Sequence, residues 1–360
     1  MKRRDFVTAA GAATLLSACG EAKDCDLNQS SSTKQPQKTI QWTMVTTWPP
    51  GFQGLGTGAE YLATQIERLT QGQIKVKVYG AGELVPALQV FDAVASGSVE
   101  MGHGASYYWK GKLPAASFFS SVPFGLNAQE MNGWLLKGGG LELWQELYAP
   151  YNLIPMPAGN TDVQMAGWFN KEINSIKDIQ GLKMRIPGLG GEVLKRAGGT
   201  PELIAGGEIF SALEMGRIDA AEFVGPYNDL AFGFFKAAKY YYYPGWQEPG
   251  TTLEALINQQ AMEKLPKHLQ EAVRSACLIA NADMLAEYSH KNSEALKILV
   301  EKHHVTLKKL PDDVLEKFKE ISETVVAEQA THNDLANRIY QSFLSFKNKS
   351  NGWREISRSL

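Results

Sequence analysis

Apolar and polar positions change rhythm along the chain, and the rhythm sorts it into strands and helices. Thr39-Ile40-Gln41-Trp42-Thr43-Met44-Val45 has strand composition and is stopped by Pro49-Pro50-Gly51. Leu62, Ile66 and Leu69 recur at helical spacing, and Gly72 closes that helix. Ile74-Lys75-Val76-Lys77-Val78 alternates apolar with charged, as a half-exposed strand does. A helix over 85–96 and a short strand over 99–101 complete a β-α-β-α-β order. That order predicts a mainly parallel sheet with helices packed on its faces.

The second half echoes the first. Ala93-Val94-Ala95-Ser96-Gly97-Ser98-Val99-Glu100 and Ala212-Leu213-Glu214-Met215-Gly216-Arg217-Ile218-Asp219 share the pattern A-φ-x-x-G-x-φ-acid. Upstream of them lie Gly82-Glu83-Leu84 and Gly207-Glu208-Ile209. In each unit a helix is expected to end at a Gly in the left-handed cap conformation, with a strand following. Two like-built α/β lobes facing each other across a cleft are the expectation, and ligands of open α/β sheets bind beyond the carboxyl ends of strands. The lobes are drawn at 39–159 and 160–265, with some exchange of strands between them. From Lys267 to about His303 no Gly or Pro interrupts the chain, which predicts one very long helix. Asp312 to Phe346 reads as helical again, so 266–360 is a helical region that braces the lobes or builds a dimer interface.

The first 38 residues have a different character. Lys2-Arg3-Arg4-Asp5-Phe6 is a twin-arginine pattern, and a weakly apolar Ala-rich stretch follows it. Leu16-Ser17-Ala18-Cys19-Gly20 is similar to a bacterial lipobox, which makes 1–18 a signal peptide and Cys19 the lipidated first residue of an exported, membrane-tethered protein. Residues 19–38 read as a flexible polar tether. Removing 1–18 takes the formal charge from −2 to −4, and no basic surface for nucleic acid is indicated. Cys25 and Cys277 show no ligand or redox spacing.

Candidate chemistry gathers in five places. Arg185 stands among apolar neighbours in Leu182-Lys183-Met184-Arg185-Ile186-Pro187, and a guanidinium fork matches a carboxylate bidentately. Gln164 sits in the polar-in-apolar run from Asn160 to Phe169 and is expected mid-strand. Glu222-Phe223-Val224-Gly225-Pro226-Tyr227 should lie at a strand end after the second repeat. Glu248 follows the aromatic stretch Tyr240 to Gln247, and Tyr107-Tyr108-Trp109 is its counterpart in the first half. Read alone, Arg185 is more often a surface ion pair, Gln164 more often on an exposed sheet face, and the aromatic cluster most often domain packing.

Taken together, Gly82 to Pro86, Asn160 to Phe169, Gly181 to Arg185, Glu222 to Tyr227 and Tyr240 to Glu248 resemble the substrate-binding subunits of TRAP transporters (the DctP-type family), most nearly the branch that binds 2-oxo and 2-hydroxy monocarboxylates. The resemblance runs from about Gln41 to about Leu344. It implies an α/β, two-lobed periplasmic-binding-protein-like fold with a long helix bracing both lobes and a helical C-terminal segment. It also implies a receptor, not an enzyme, that hands its carboxylate to a sodium-driven membrane permease. By position in the motifs, Arg185 would clamp the substrate carboxylate. Gln164, Glu222 and Glu248, with the main-chain carbonyl of Phe223, would hold a metal cation, sodium in preference to calcium. Tyr107, Tyr108, Asn160, Gln164 and Phe223 would complete the substrate pocket. Phe223 stands where the family pattern has Trp, which leaves the carbonyl intact and the side-chain preference open.

Two rivals compete with that reading. An enzyme of the same shape would need chemistry the chain does not spell, since none of the G-x-S-x-G, H-E-x-x-H or P-loop spacings occurs. A structural lipoprotein would leave Arg185, Gln164, Glu222 and Glu248 as unrelated surface groups. A dicarboxylate or sugar acid is the alternative ligand.

Overall fold

The structure, a computed structural model, describes residues 39–357; the segments expected to be a signal peptide and a tether, with Cys19, lie outside the described residues. Strand β1 (Ile40–Thr46) pairs in parallel with β2 (Ile74–Tyr79) and β3 (Met101–Gly104), with helix α1 (Leu55–Leu69) and the short α2 (Val90–Ala95) in the crossovers. The helix expected over 85–96 is therefore shorter. Pro86, extended at ψ 146°, starts only a 3-10 turn, Ala87–Gln89, ahead of α2. Helices α3 (Ala128–Lys137) and α4 (Gly140–Tyr148) then lead into β4 (Leu153–Asn160).

The second sheet begins with β5 (Gly167–Phe169) and β6 (Lys183–Arg185), followed by α5 (Gly188–Arg196) and β7 (Thr200–Glu202). Helix α6 (Ile209–Glu214), β8 (Ala220–Ala221), α7 (Pro226–Phe232) and β9 (Tyr240–Tyr243) continue it. The two echoing units do share their geometry. Each is a 3-10 turn, a six-residue helix and a left-handed Gly, Gly97 at φ 74° and Gly216 at φ 68°, with a strand starting four residues later.

Strand β10 (Thr252–Asn258) leaves the second half and enters the first sheet, whose order is β2-β1-β3-β10-β4. It runs antiparallel to both neighbours, and β5 is antiparallel to β8 and β9. β1, β2 and β3 pair in parallel as the β-α-β-α-β order predicts, but β10 makes the first sheet mixed, and β5 makes the second mixed as well. A strand arriving from the other half has no local helical crossover to turn it into parallel register. With β11 (Thr306–Lys309) the second sheet reads β11-β9-β5-β8-β6-β7.

After α8 (Gln259–Glu263) comes α9 (Lys267–Glu301), 35 residues and about 50 Å long. Its first half buries Leu269, Val273, Cys277 and Ala280 in the core under the first sheet. Its second half buries Met284, Tyr288 and Leu299 in the core that contains Trp168, Phe223 and Tyr241 of the second sheet. One helix therefore braces both lobes. Where a single helix over 312–346 was expected there are two, α10 (Asp312–Glu328) and α11 (Asp334–Ser357). Asn333 breaks the run by capping, its Oδ1 accepting from Ala336 N at 2.8 Å. Phe318 and Val325 of α10 join the second-sheet core, and Ile339 and Phe343 of α11 join the first.

Between the sheets, segments 161–166 and 244–251 run side by side, with Thr161 N donating to Thr251 O (3.0 Å) and Gln164 N to Glu248 O (3.1 Å). Gln164 is thus in an irregular crossover, not mid-strand. The Asn160 Oδ1 accepts from Asp162 N at 2.8 Å, and Asp162 turns into the left-handed region at φ 60°. Gly245 has no room for a side chain, because a Cβ would lie 2.0 Å from the Gln164 carbonyl oxygen. Gly245→Ala is expected to push the two crossovers apart and lower the unfolding free energy by about 1–3 kcal/mol in urea melts. Gly207→Ala, whose Cβ would meet only Pro49 Cγ at 3.7 Å, should change stability by less than about 1 kcal/mol. Equal losses from both variants would show that the close approach is not what matters.

Candidate functional site

Arg185 ends the three-residue strand β6, in which Lys183 is exposed and Met184 and Arg185 are buried. Its side chain is fully buried, and nearly every donor has a defined acceptor. Nε donates to Ile204 O at 3.2 Å, and Nη1 donates to Glu222 O at 2.7 Å and to Glu222 Oε1 at 2.6 Å. Nη2 has only the Tyr108 hydroxyl, at 3.4 Å. A guanidinium carries five N–H groups, so the Nη2 edge is the part left for another acceptor.

The neighbouring segments hold buried oxygens without partners. Glu222 begins just past β8, held by Glu222 N donating to Arg185 O at 3.1 Å. Its Oε1 is paired with Arg185, while its buried Oε2 has no hydrogen-bond partner. Gln164 donates through Nε2 to Thr251 Oγ1 (3.2 Å) and Thr161 Oγ1 (3.4 Å), which fixes its amide and leaves Oε1 buried and unpartnered. Gln247, beside Glu248, repeats the arrangement, with Nε2 on Met165 O at 2.8 Å and Oε1 unpartnered. Glu248 Oε2 accepts from Thr251 Oγ1 at 2.6 Å.

Burial dominates the electrostatics. It holds the Glu222 carboxyl well above the usual carboxylate range; Arg185 opposes the rise, and Glu248 and Asp229 add to it. Glu248 is pushed up to about 7 by burial, against its bond from Thr251 and the pull of Arg185. Asp229, in the first turn of α7, also reaches about 7 through burial, although Tyr241 and Trp168 donate to its Oδ2 at 2.6 and 2.9 Å. One guanidinium thus faces three buried carboxyl groups. The surplus of negative charge calls for protons or for a cation, and an incoming carboxylate would need the cation. Orphaned carboxylate and amide oxygens are the donor set a hard cation takes. Among the described residues no group of three or more His, Cys, Asp or Glu could hold a metal, which leaves mixed oxygen ligation as the arrangement these residues fit.

The aromatic wall comes from both halves. Tyr107 and Tyr108 lie in a 3-10 turn, Ser106–Trp109, after β3, their rings edge to face at 4.9 Å. Burial raises both phenols, so both remain donors at neutral pH. Phe223 is buried with its ring 5.5 Å from Arg185 Cζ, and it packs on Phe52, Phe232 and Phe234. Gly206 makes that position possible, since a Cβ there would sit 2.7 Å from the Phe223 ring. Across the cleft Lys110 Nζ meets Glu192 Oε1 at 2.5 Å.

Arg185, Glu222, Glu248, Tyr107 and Tyr108 are therefore close enough to shift one another's ionisation, and Gln164 is tied to Glu248 through the backbone. Asn160 is different. At the end of β4 it is committed to Thr252 Oγ1 (3.3 Å) and Asp162 N (2.8 Å), not to the guanidinium cluster. Sequence reasoning missed Asp229, Gln247 and Thr251. An Asp in a helix's first turn ordinarily reads as a partner of the helix dipole, so only its burial sets Asp229 apart.

A two-lobed α/β chain that closes a buried, charge-imbalanced cleft between mixed sheets has the architecture of a solute-binding protein. The chain belongs to the DctP family, bacterial extracellular solute-binding protein family 7, whose model matches residues 44–333. It is 44% identical over 357 residues, 99% of this chain and 97% of the other, to the monocarboxylate 2-oxoacid-binding periplasmic protein of Nostoc sp. (strain PCC 7120). Among solved structures it resembles a TRAP periplasmic solute-binding protein from Pseudoalteromonas atlantica with bound sodium and pyruvate. That match has 40% identity and a TM-score of 0.86, and covers 89% of this chain and 97% of that one. A counterpart from Colwellia psychrerythraea with bound calcium and pyruvate matches at 40% identity and a TM-score of 0.86, over 89% and 98% of the two chains.

The raised Glu248 carboxyl has a measurable consequence. Above its ordinary value of 4.5 the unfolded chain releases that proton while the folded chain keeps it up to about 7. Its contribution to stability therefore falls as pH rises from about 4.5 to about 7 and is level beyond. In cation-free, chelator-treated protein, Glu248→Gln should gain on the parent through that window by on the order of 1–3 kcal/mol. Urea melts at pH 5, 6, 7 and 8 measure it, and a difference constant with pH would refute the assignment.

Proposed function

We propose that this chain is the extracytoplasmic receptor of a TRAP-type transporter, binding a small 2-oxo or 2-hydroxy monocarboxylate together with a cation and delivering it to a separate sodium-driven permease. The observation that carries the reading is the buried Arg185 fork, whose Nη2 edge has only a long contact with the Tyr108 hydroxyl, in a cluster that also holds the buried, unpartnered Oε2 of Glu222. Arg185 grips the carboxylate, and Tyr108, already within 3.4 Å of Nη2, donates to the ligand from the other lobe. Tyr107 and Phe223 wall the cleft, and Asn160 supports the crossover beneath it. Gln164, Glu222, Glu248 and the Phe223 carbonyl take the cation, which the carboxylate and its adjacent oxygen complete by chelation. Sodium is the favoured ion, and relatives that hold sodium or calcium with pyruvate support a hard cation of either kind.

A monocarboxylate fits better than a dicarboxylate, because the cluster offers one guanidinium, and its buried carboxyl groups leave no second cation for a second carboxylate. Membership of a solute-binding family and the absence of a nucleophile–base pair among these residues support a receptor that does no chemistry. No helix among the described residues is long and apolar enough to cross a membrane. On this reading attachment comes from lipidation at Cys19, outside them. A homodimer would use the end of α11, where Trp353 and Ile356 are 69% and 71% exposed.

Titration calorimetry with pyruvate is expected to give saturable one-to-one binding without turnover. Arg185→Ala should weaken it by about 2–5 kcal/mol, and Arg185→Lys should restore little, since an ammonium lacks the planar fork. Unchanged affinity in Arg185→Ala would remove the carboxylate clamp. Ion exchange separates the cations. If sodium fills the site, affinity survives EDTA in sodium buffer and falls at least tenfold in sodium-free choline buffer. Loss on adding EDTA with sodium present would assign calcium, and indifference to both would refute the cation site.

A further inference from the structure

A cavity of about 440 Å³ lies away from the guanidinium cluster, between α10, α11 and the chain that crosses between the sheets. Its apolar walls include Phe124, Val326, Phe343 and Leu344, and Pro249 and Lys347 also line it. The walls belong to different lobes. Phe343 is part of the first-sheet core, α10 is anchored in the second-sheet core, and Val326 packs against both. Phe124 N donates to Trp246 O at 2.8 Å, which fastens one wall to the 244–251 crossover.

The charge at the cavity is one-sided. Lys319, Lys347 and Arg354 line it against a single acid, Glu323. Arg354 is committed, with Nε at 3.1 Å from Glu130 Oε1 and Nη2 on Asn351 Oδ1 at 2.5 Å. Lys319 and Glu323 are exposed at the rim. Lys347 is half-buried and has no hydrogen-bond or ion-pair partner among the described residues. Desolvation pulls its ammonium below the usual lysine range, with Glu323 opposing. A half-buried cation with no ion-pair partner, above an apolar floor, is balanced only by the more distant Glu323 and Glu130, themselves offset by Lys319 and Arg354. The volume lies within the range of small-molecule sites.

We infer that this cavity is a second binding site, for an amphipathic organic monoanion with a ring-sized or short-chain apolar body, whose head group pairs with Lys347 while its body rests on Phe124, Phe343 and Leu344. Such a ligand touches helices rooted in opposite lobes and so sets their separation. It also touches Pro249, the residue after Glu248 in the candidate cation site. Occupancy therefore alters pyruvate affinity, and by linkage pyruvate alters occupancy by the same factor. That coupling rests on the proposed receptor function, whereas binding to the cavity does not.

The test titrates the full chain with 1-anilinonaphthalene-8-sulfonate, followed by fluorescence, and displaces it with octanoate. Saturable one-to-one binding is expected, weakened at least tenfold by Lys347→Glu and by the cavity-filling Leu344→Trp. Both variants should keep the parent's pyruvate affinity when octanoate is absent, which shows that they fold. Saturating octanoate is expected to shift pyruvate affinity at least threefold in the parent and not in Lys347→Glu. Binding that neither variant weakens overturns the site, as does a dimer by light scattering that excludes the probe. Octanoate binding with no shift in pyruvate affinity overturns the coupling. If pyruvate fails to bind the parent while octanoate still binds at Lys347, the proposed function falls and the second site stands.

Discussion

A guanidinium that water cannot reach is the constraint around which the cleft is built. Arg185 cannot shed its proton, so burial obliges the fold to surround it with acceptors. Glu222 supplies both a carboxylate oxygen and its own carbonyl, and that double hold fixes the plane of the fork. The pairing is incomplete, because Glu248 and Asp229 are buried nearby, so the cluster holds more carboxyl groups than one Arg could neutralise if they ionised. Removing water from such a cluster is costly unless something positive arrives. A bound cation and a bound anion together satisfy what either alone would worsen, so on the proposed reading the two are taken up as a pair.

The fold keeps the parts of this cluster on different bodies. Arg185 and Glu222 stand at the ends of second-sheet strands, whereas Tyr107 and Tyr108 follow a first-sheet strand. Gln164 and Glu248 sit on the two crossovers, bonded to each other backbone to backbone. Residues on a crossover move least when lobes rotate. On the proposed reading, residues 164 and 248 would therefore keep their mutual arrangement if the lobes rotate. The long α9, packed on both cores, and the α10–α11 pair, one helix on each, limit that rotation from the outside.

Much of this was legible in the sequence where local chemistry and tertiary demand agree. An arginine between Met184 and Ile186 at the end of a short apolar run is unusual on local grounds, and the structure shows that it is buried. The Gly97 and Gly216 turns were readable because the left-handed cap needs glycine in both units. The uninterrupted stretch after Pro266 could only be a helix. What failed to show depended on distant partners. The entry of β10 into the first sheet is set by where the crossover delivers it, and its seven residues are buried on both faces as a parallel strand's would be. Gln164 looked like a strand residue because Val163 and Met165 flank it, yet Asp162 turns the chain and Val163 is exposed. Asp229 and Gln247 are ordinary in sequence, and only the packing of Trp168, Tyr241 and Met165 around them reveals their environment.

Specificity on the proposed reading follows from how the charges are divided. One guanidinium reads one carboxylate, and a second carboxylate would fall among Glu222, Glu248 and Asp229 without a cation of its own. The metal reads a different property, an oxygen adjacent to the carboxylate, because only neighbouring oxygens close a chelate. Oxo and hydroxy acids both satisfy it, so the metal selects for the position of the oxygen and is tolerant of its oxidation state. Discrimination by side chain is then left to apolar surface, chiefly Phe223 and the Phe52–Phe232 stack behind it, whose rings lie 4.1 Å apart. An apolar wall distinguishes one methylene by only about 1–3 kcal/mol. On that reading the cleft is strict about the head of its ligand and permissive about the tail.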